Sequence, residues 1–136
     1  MKTSAITPAD LRQSVVAVPP LCRKADLTLA DDENTKLIRH LEAGGVTTLL
    51  YGGNANLYNI AVSEYPALLE YLASAAAADT LVVPSVGPFY GNIIDQADIL
   101  KRFSFPTAMI LPTLLPAKPA GVRSAVREIV RRSRNP

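Results

Sequence analysis

The side chains that most often carry chemistry are few in this sequence, and their spacing does not form a catalytic set. The one histidine, His40, has no serine or carboxylate at the spacing of a triad, so a structural role is predicted. The one cysteine, Cys22, follows Pro-Pro-Leu without a neighbouring histidine or helix start to activate its thiol, and packing is predicted. One histidine and one cysteine also make no zinc-type cluster, so no metal site is expected.

Three tyrosines and a pair of glycines come where apolar runs end. Tyr51, Tyr58 and Tyr90 end such a run or follow one, and simple packing with the hydroxyl in water is an equally good alternative to a binding role. The pair Gly52 and Gly53 lacks the third glycine and the later acidic residue of a dinucleotide fingerprint. No cofactor is therefore predicted.

The elements that would position these residues follow a repeating pattern. Four apolar, strand-like runs, at residues 14–18, 46–51, 81–86 and 107–111, are each followed by a Gly/Pro/Asn-rich turn and an amphipathic helical stretch. This alternation predicts an α/β fold with a parallel sheet, in which function lies in the loops after the strands. A closed barrel takes eight such units. We therefore expect residues 1–136 to be one domain, a truncated β/α barrel containing the first four units of eight (a half-barrel).

Local signals predict where several elements begin and end. Acidic residues from Asp31 open the first helix, and Gly44 ends it. Ser63 is the predicted N-cap of the second helix, and Pro119 is predicted in the first turn of the fourth. Pro84 removes one ladder donor from the third strand, which is therefore expected to be short.

The fourth helix carries both an apolar stripe and a row of arginines. Its predicted buried residues are Val122, Ala125, Val126, Ile129 and Val130. Arginines recur every four residues from Arg123 and could contact phosphates. Cations also suit an exposed helix face and a helix C-terminus, and this second interpretation is favoured, so no nucleic-acid partner is predicted.

Composition and charge exclude several further classes. The chain has 136 residues, 49% of them hydrophobic, which is enough for a packed core, and its formal net charge of +2 is too small to imply a polyanionic partner. A single cysteine cannot form an internal disulfide, which fits a reducing compartment. No apolar run reaches the roughly 18 residues of a membrane span, and the first residues lack the apolar core of a signal peptide. A cytoplasmic protein with no membrane partner is predicted.

The order VVAVPPL, then LIRHLEAGGVTTLLYGGNAN, then FPTAMILPTLLPAKPAG resembles the amino-terminal half of the dihydrodipicolinate synthase and N-acetylneuraminate lyase family. The resemblance implies a β/α barrel, commonly oligomeric, that makes or breaks carbon–carbon bonds in 2-oxo acids through a Schiff base on a lysine. It covers essentially the whole chain but about half of a family member.

The motifs of that family are altered here. Its substrate-binding loop, Gly-Thr-Thr-Gly-Glu, falls on residues 52–56, where only the first glycine matches. Backbone N–H groups can still hold a carboxylate, so the predicted substrate-binding residues are Gly52, Gly53, Asn54, Tyr51 and Asn56. The Pro-Tyr-Tyr of the family's proton relay is replaced by residues 112–114, Pro112, Thr113 and Leu114.

The resemblance also implies a Schiff-base lysine on a sixth strand and a tyrosine on a fifth, which four units do not include. Such a lysine needs surroundings that lower its pKa, and Lys24 and Lys118 are ordinary loop lysines. No catalytic residue is predicted, and the chain alone is expected to be inactive. The alternative is a non-catalytic half-barrel whose unpaired edges are covered by self-association or by a complementary half-barrel.

Overall fold

The computed structural model describes residues 1–112 and 118–133 and shows short strands alternating with longer helices. A 3₁₀ turn, Asp10–Arg12, precedes the first strand, and another, Leu57–Asn59, follows the second. The strands are β1 (Val16–Ala17), β2 (Thr48–Leu50), β3 (Leu81–Val83), β4 (Ser85–Val86) and β5 (Met109–Ile110). The helices are α1 (Asp31–Ala43), α2 (Tyr65–Ala75), α3 (Tyr90–Leu100) and α4 (Pro119–Ser133).

All strand pairs in this part of the chain are parallel, so the predicted α/β class is confirmed. One sheet has the order β1-β2-β3, and the second pairs β4 with β5. The predicted third strand is divided at Pro84, which has no N–H for the ladder, although its carbonyl still accepts from the backbone N–H of Met109 at 2.8 Å. The structure therefore has two parallel sheets, whereas the sequence predicted one.

The two faces of the first sheet are covered to different extents. Leu49 and Val82 are partners in register and are fully buried in the core that the helices cover. The next register pair, Leu50 and Val83, points to the opposite face and remains partly exposed. The helix layer therefore covers one face of the sheet, while the other face is only partly covered.

Tyr65 connects the helix layer to the second sheet. Its side chain is fully buried at the start of α2, and its hydroxyl donates to the backbone carbonyl of Ser85 at 3.0 Å. A second buried phenol, Tyr51, lies directly after β2. Burial disfavours the charged phenolate and raises the pKa of both hydroxyls above the ordinary value of 10.0.

These raised pKa values predict that the protein loses stability at alkaline pH. Below pH 10 both phenols are neutral in the folded and unfolded states; above it the unfolded chain ionises first, so unfolding becomes more favourable as the pH rises toward the folded-state pKa. Urea unfolding between about pH 8 and 11 should show the decline, and Tyr65→Phe should make it shallower. The exposed control, Tyr90→Phe, should leave it unchanged; equal slopes in all three proteins would contradict the prediction.

Most predicted helix boundaries are confirmed, and one is wrong. Asp31 opens α1, α1 ends before Gly44, and Pro119 begins α4. The second helix begins at Tyr65, with Glu64 as its N-cap residue and no side-chain capping bond, so Ser63 is not the cap. Pro66 favours the start of the helix at this point instead, because a residue in the first turn needs no N–H for a hydrogen bond within the helix.

The predicted apolar stripe of α4 is buried only in part. Ile129 is buried, but Val122, Val126 and Val130 are between 36% and 47% exposed. The helix packs mainly on α3, and its Ile129 joins the hydrophobic core. A separate observation concerns membranes: within residues 1–112 and 118–133, no helix has the length and apolar character that crossing a bilayer requires.

Candidate functional site

The loop after β2 packs closely against the second sheet at Gly52. A Cβ atom built on Gly52 would lie 2.7 Å from Met109 Cε and 3.3 Å from Ser85 Oγ. Ser85 is itself fixed, because its hydroxyl donates to the backbone carbonyl of Tyr51 at 2.6 Å. Glycine at position 52 therefore avoids a close contact with Ser85 and Met109 where the loop leaves the carboxyl edge of β2.

Residues 53–56 form a tight turn that leaves two backbone donors available. The N–H of Asn56 donates to the carbonyl of Gly53 at 2.9 Å, and the N–H of Leu57 donates to the carbonyl of Gly52 at 3.2 Å. Within the described part of the chain, the N–H groups of Gly53 and Asn54 donate to no protein acceptor. Both residues are exposed, so the part of the turn that carries these donors lies at the surface.

Two asparagine side chains hold this turn in place. The Asn54 side-chain amide donates to the carbonyl of Val18 at 3.0 Å, which joins the second loop to the end of the first strand region. Asn56 has a left-handed backbone, with φ of 55°, and its side-chain oxygen accepts from the Asn59 amide at 2.7 Å. Both side chains position the loop, and the backbone of the loop presents the free donors.

The ring of Tyr51 does not share this accessible surface. Only 1% of Tyr51 is exposed, and it belongs to the core that contains Leu49, two residues before it on the same side of β2. Its backbone carbonyl contributes to the site by accepting from the Ser85 hydroxyl. Its phenol is buried in the hydrophobic core. Gly52 is likewise buried, so Gly53, Asn54 and Asn56 are the predicted residues that the structure brings to the surface together.

The loop after β1 forms a second, well-fixed wall. Residues 23–29 turn back on themselves through an antiparallel bridge between Arg23 and Leu29 and a 2.9 Å bond from the Lys24 N–H to the Thr28 carbonyl. Buried Asn34 of α1 anchors the base of this loop. Its side-chain oxygen accepts from the Cys22 N–H at 2.7 Å, and its amide donates to the carbonyls of Cys22 and Ala30.

An ion pair connects the two loop regions across a cleft. Arg23 Nη1 lies 2.6 Å from Glu64 Oε1 and also donates to the Leu27 carbonyl at 2.6 Å. The cleft has a volume of about 790 Å³. Asn56 lines it, so it adjoins the turn that presents the free backbone donors. The other lining residues are Arg23, Lys24, Asp26, Leu27, Thr28, Leu29, Asp31, Asn59, Ile60, Ala61, Glu64, Ala67 and Tyr71.

Three residues that hold these loops were not predicted from the sequence: Arg23, Asn34 and Glu64. A signal existed for Asn34, because it precedes Ile38 by four residues and so falls on the apolar face of α1, where a polar residue requires buried partners. No local signal existed for the pair of Arg23 and Glu64, which are 41 residues apart.

Other predicted residues lie away from the turn or outside the described structure. Lys24 is exposed in the first loop and lines the cleft, and His40 is exposed on α1. Thr113 and Leu114, the altered relay positions, lie outside the described residues. In residues 1–112 and 118–133, no three His, Cys, Asp or Glu side chains converge as a metal site would need.

The fold and this loop cluster define a parallel β/α protein with its candidate site at the carboxyl edge of the strands. The chain is similar to the solved structure of dihydrodipicolinate synthase from Bacillus clausii, with a TM-score of 0.70 and 20% sequence identity. The match covers 88% of this chain and 41% of that chain, so the chain spans about two fifths of the length of the structure that it matches. No family model and no curated protein matches it. The predicted resemblance is confirmed at the level of the fold.

Proposed function

We propose that this chain forms the first half of a β/α barrel of the dihydrodipicolinate synthase and N-acetylneuraminate lyase type, and that its second loop binds the carboxylate of a small 2-oxo acid. The single observation that carries the proposal is that the exposed residues Gly53 and Asn54 have N–H groups that donate to no described protein acceptor. They lie after a parallel strand, at the sheet edge where such folds bind ligands.

The chemistry of these donors suits a carboxylate. Two adjacent N–H groups are directed partial positive charges, and a carboxylate oxygen accepts more strongly from them than a neutral carbonyl does. The turn is held by the Asn54 bond to Val18 and by the close packing of Gly52, so little ordering accompanies binding. The neighbouring cleft leaves room beside Asn56 for the remainder of a small ligand.

Under this proposal, the chain does not supply the Schiff-base lysine of the family. A Schiff-base amine must be desolvated or placed beside another cation to be nucleophilic near neutral pH. No lysine is buried in the part of the chain that the structure describes, and three of them pair with carboxylates: Lys2, Lys36 and Lys101. Treatment with pyruvate and borohydride, read by mass spectrometry, should therefore leave the chain unmodified; a stable adduct would contradict this part of the proposal.

Gly53 provides a direct test of the carboxylate site. Gly53→Pro removes the backbone N–H, whereas Gly53→Ala keeps it, and a Cβ at this position meets nothing closer than Tyr58 Cε2 at 3.9 Å. Titration of ¹⁵N-labelled protein with pyruvate should shift the amide signals of residues 53 and 54. Gly53→Pro should raise the dissociation constant at least about 10-fold, as expected for one lost hydrogen bond to a charged group, and Gly53→Ala should change it little. Equal binding by both variants would refute the site.

A second candidate function is a non-catalytic half-barrel that binds a partner. The observation that favours it is exposed apolar surface at both ends of the strand order. Val15, just before β1, and Val16, its first residue, are 72% and 44% exposed, and the three valines of α4 are exposed after β5. Surface of this kind on both sides of a domain is typical of interaction sites.

A further inference from the structure

The segment of residues 23–28 forms one wall of the cleft and is fixed at its base. All of its residues are exposed, and most of them line the cleft. A 2.9 Å bond from the Lys24 N–H to the Thr28 carbonyl makes the segment a compact hairpin. At its base, the N–H of Ala30 donates to the carbonyl of Cys22 at 3.1 Å. The segment is therefore a small unit that can tilt about this base without losing its own hydrogen bond.

One ion pair ties this segment to the opposite wall of the cleft. Arg23 lies in the segment and Glu64 lies directly before α2, with 2.6 Å between Arg23 Nη1 and Glu64 Oε1. In the described part of the chain, no other hydrogen bond or ion pair joins residues 23–28 to residues 56–71. The two side chains are 28% and 29% exposed, so water and salt ions compete with each partner for the other.

The tip of the segment is strained at Leu27. Its φ of 69° lies in the left-handed region, which a bulky side chain rarely adopts. The Leu27 side chain is 71% exposed, so its packing does little to offset the strain. Its carbonyl accepts from Arg23 Nη1 at 2.6 Å, and the same nitrogen pairs with Glu64. A strained residue persists only where its neighbours hold it, so Arg23 couples the tip of the segment to the ion pair.

We propose that residues 23–28 are a flap that opens and closes the cleft, and that the ion pair of Arg23 and Glu64 is its latch. The closed form is the one described above. In the open form both charged groups are hydrated, Leu27 relaxes, and the flap tilts away from α2. The cleft of about 790 Å³ is of the size that small molecules occupy, so the flap controls their entry. This inference is independent of the carboxylate site.

Removal of the latch tests the proposal. Relaxation dispersion of ¹⁵N amides detects minor states that exchange in microseconds to milliseconds, and it should show such a state at residues 23–28 of the parent chain. Glu64→Gln keeps the size of the side chain and removes its charge, so it should raise the population of the minor state about 5-fold, and Arg23→Gln should raise it at least as much.

Salt and a second ion pair provide the controls. About 0.5 M NaCl should raise the minor population in the parent by screening the latch and should leave Glu64→Gln unchanged. Lys36→Gln removes a 2.7 Å ion pair with Glu33 that lies within α1 and does not cross the cleft. This variant should have the same minor population as the parent.

Two substitutions at Leu27 test the coupling of the tip to the latch. Leu27→Gly makes the left-handed backbone unstrained and should lower the minor population. Leu27→Val also shortens the side chain, but its β-branch makes this backbone less favourable, so it should raise the population. Equal effects of the two variants would overturn the coupling, because they would show that the lost side chain and not the backbone controls the flap.

Spin labels report the direction of the movement. With Cys22→Ala as background, labels on exposed Ala25→Cys in the flap and exposed Glu70→Cys on α2 should gain a longer distance when Glu64→Gln is added. Flat dispersion at residues 23–28 in the parent and in both latch variants, or an unchanged label distance, would overturn the proposal. The pyruvate titration can fail while the flap still opens, so the two proposals are tested separately.

Discussion

Replacement of Asn34 by leucine should lower the free energy of unfolding by about 2 kcal/mol, because it leaves the N–H of Cys22 without its acceptor. It also removes one of two donors from the carbonyls of Cys22 and Ala30, which keep their bonds from the backbone N–H groups of Ala30 and residue 34. Leucine has the same branching at Cγ and is not smaller than asparagine, so the loss does not come from a cavity. Urea unfolding measures the change. The same substitution at exposed Asn59, whose amide donates to Asn56, should change stability by less than about 0.5 kcal/mol.

A second variant identifies the cause. Asn34→Asp keeps the shape but places a carboxylate oxygen against the two carbonyls, so it should also destabilise the protein at neutral pH. Stability should partly return as the pH falls and the carboxyl group becomes a donor. If Asn34→Leu and Asn59→Leu had equal effects, the anchoring role of Asn34 would be refuted, and with it the explanation for how the first loop is held.

Gly52→Val should lower the free energy of unfolding by about 3 kcal/mol, because overpacking forces neighbouring side chains and backbone to move. A Cβ atom alone would lie 2.7 Å from Met109 Cε, and that flexible end can move aside. The two further methyl groups of valine would press on Ser85, whose hydroxyl is committed to the Tyr51 carbonyl. Thermal and urea unfolding report the loss.

The neighbouring glycine is the matched control. A Cβ built on Gly53 meets only Tyr58 Cε2, at an ordinary contact distance of 3.9 Å, so Gly53→Val should cost less than about 1 kcal/mol. A large loss at Gly53 with a small loss at Gly52 would contradict the close approach of the second loop to β4 and β5. The comparison also separates the structural glycine, Gly52, from the glycine whose N–H is proposed to bind a carboxylate, Gly53.

The candidate site could be predicted in part because its backbone donors depend on a short local sequence. The Gly/Asn composition of residues 52–56 predicts an irregular turn, and the structure has one there. The burial of Tyr51 was not foreseen, although its place two residues after Leu49 puts both on one face of β2. The cleft could not be predicted, since its walls come from two separate loops.

The sequence by itself determined the alternation of strands and helices and most helix ends, because these depend on the spacing of apolar residues and on caps within a few positions. Pro84 indicated a short third strand from the sequence, whereas the tertiary structure alone decided the exposure of the α4 valines and the partners of the loops. Asn34 bonds to Cys22 across 12 residues, Asn54 to Val18 across 36, and Arg23 to Glu64 across 41. Such pairs form only when the packing of the helices and strands brings the two residues together. The residues next to each partner in the sequence do not indicate which distant residue it will bind.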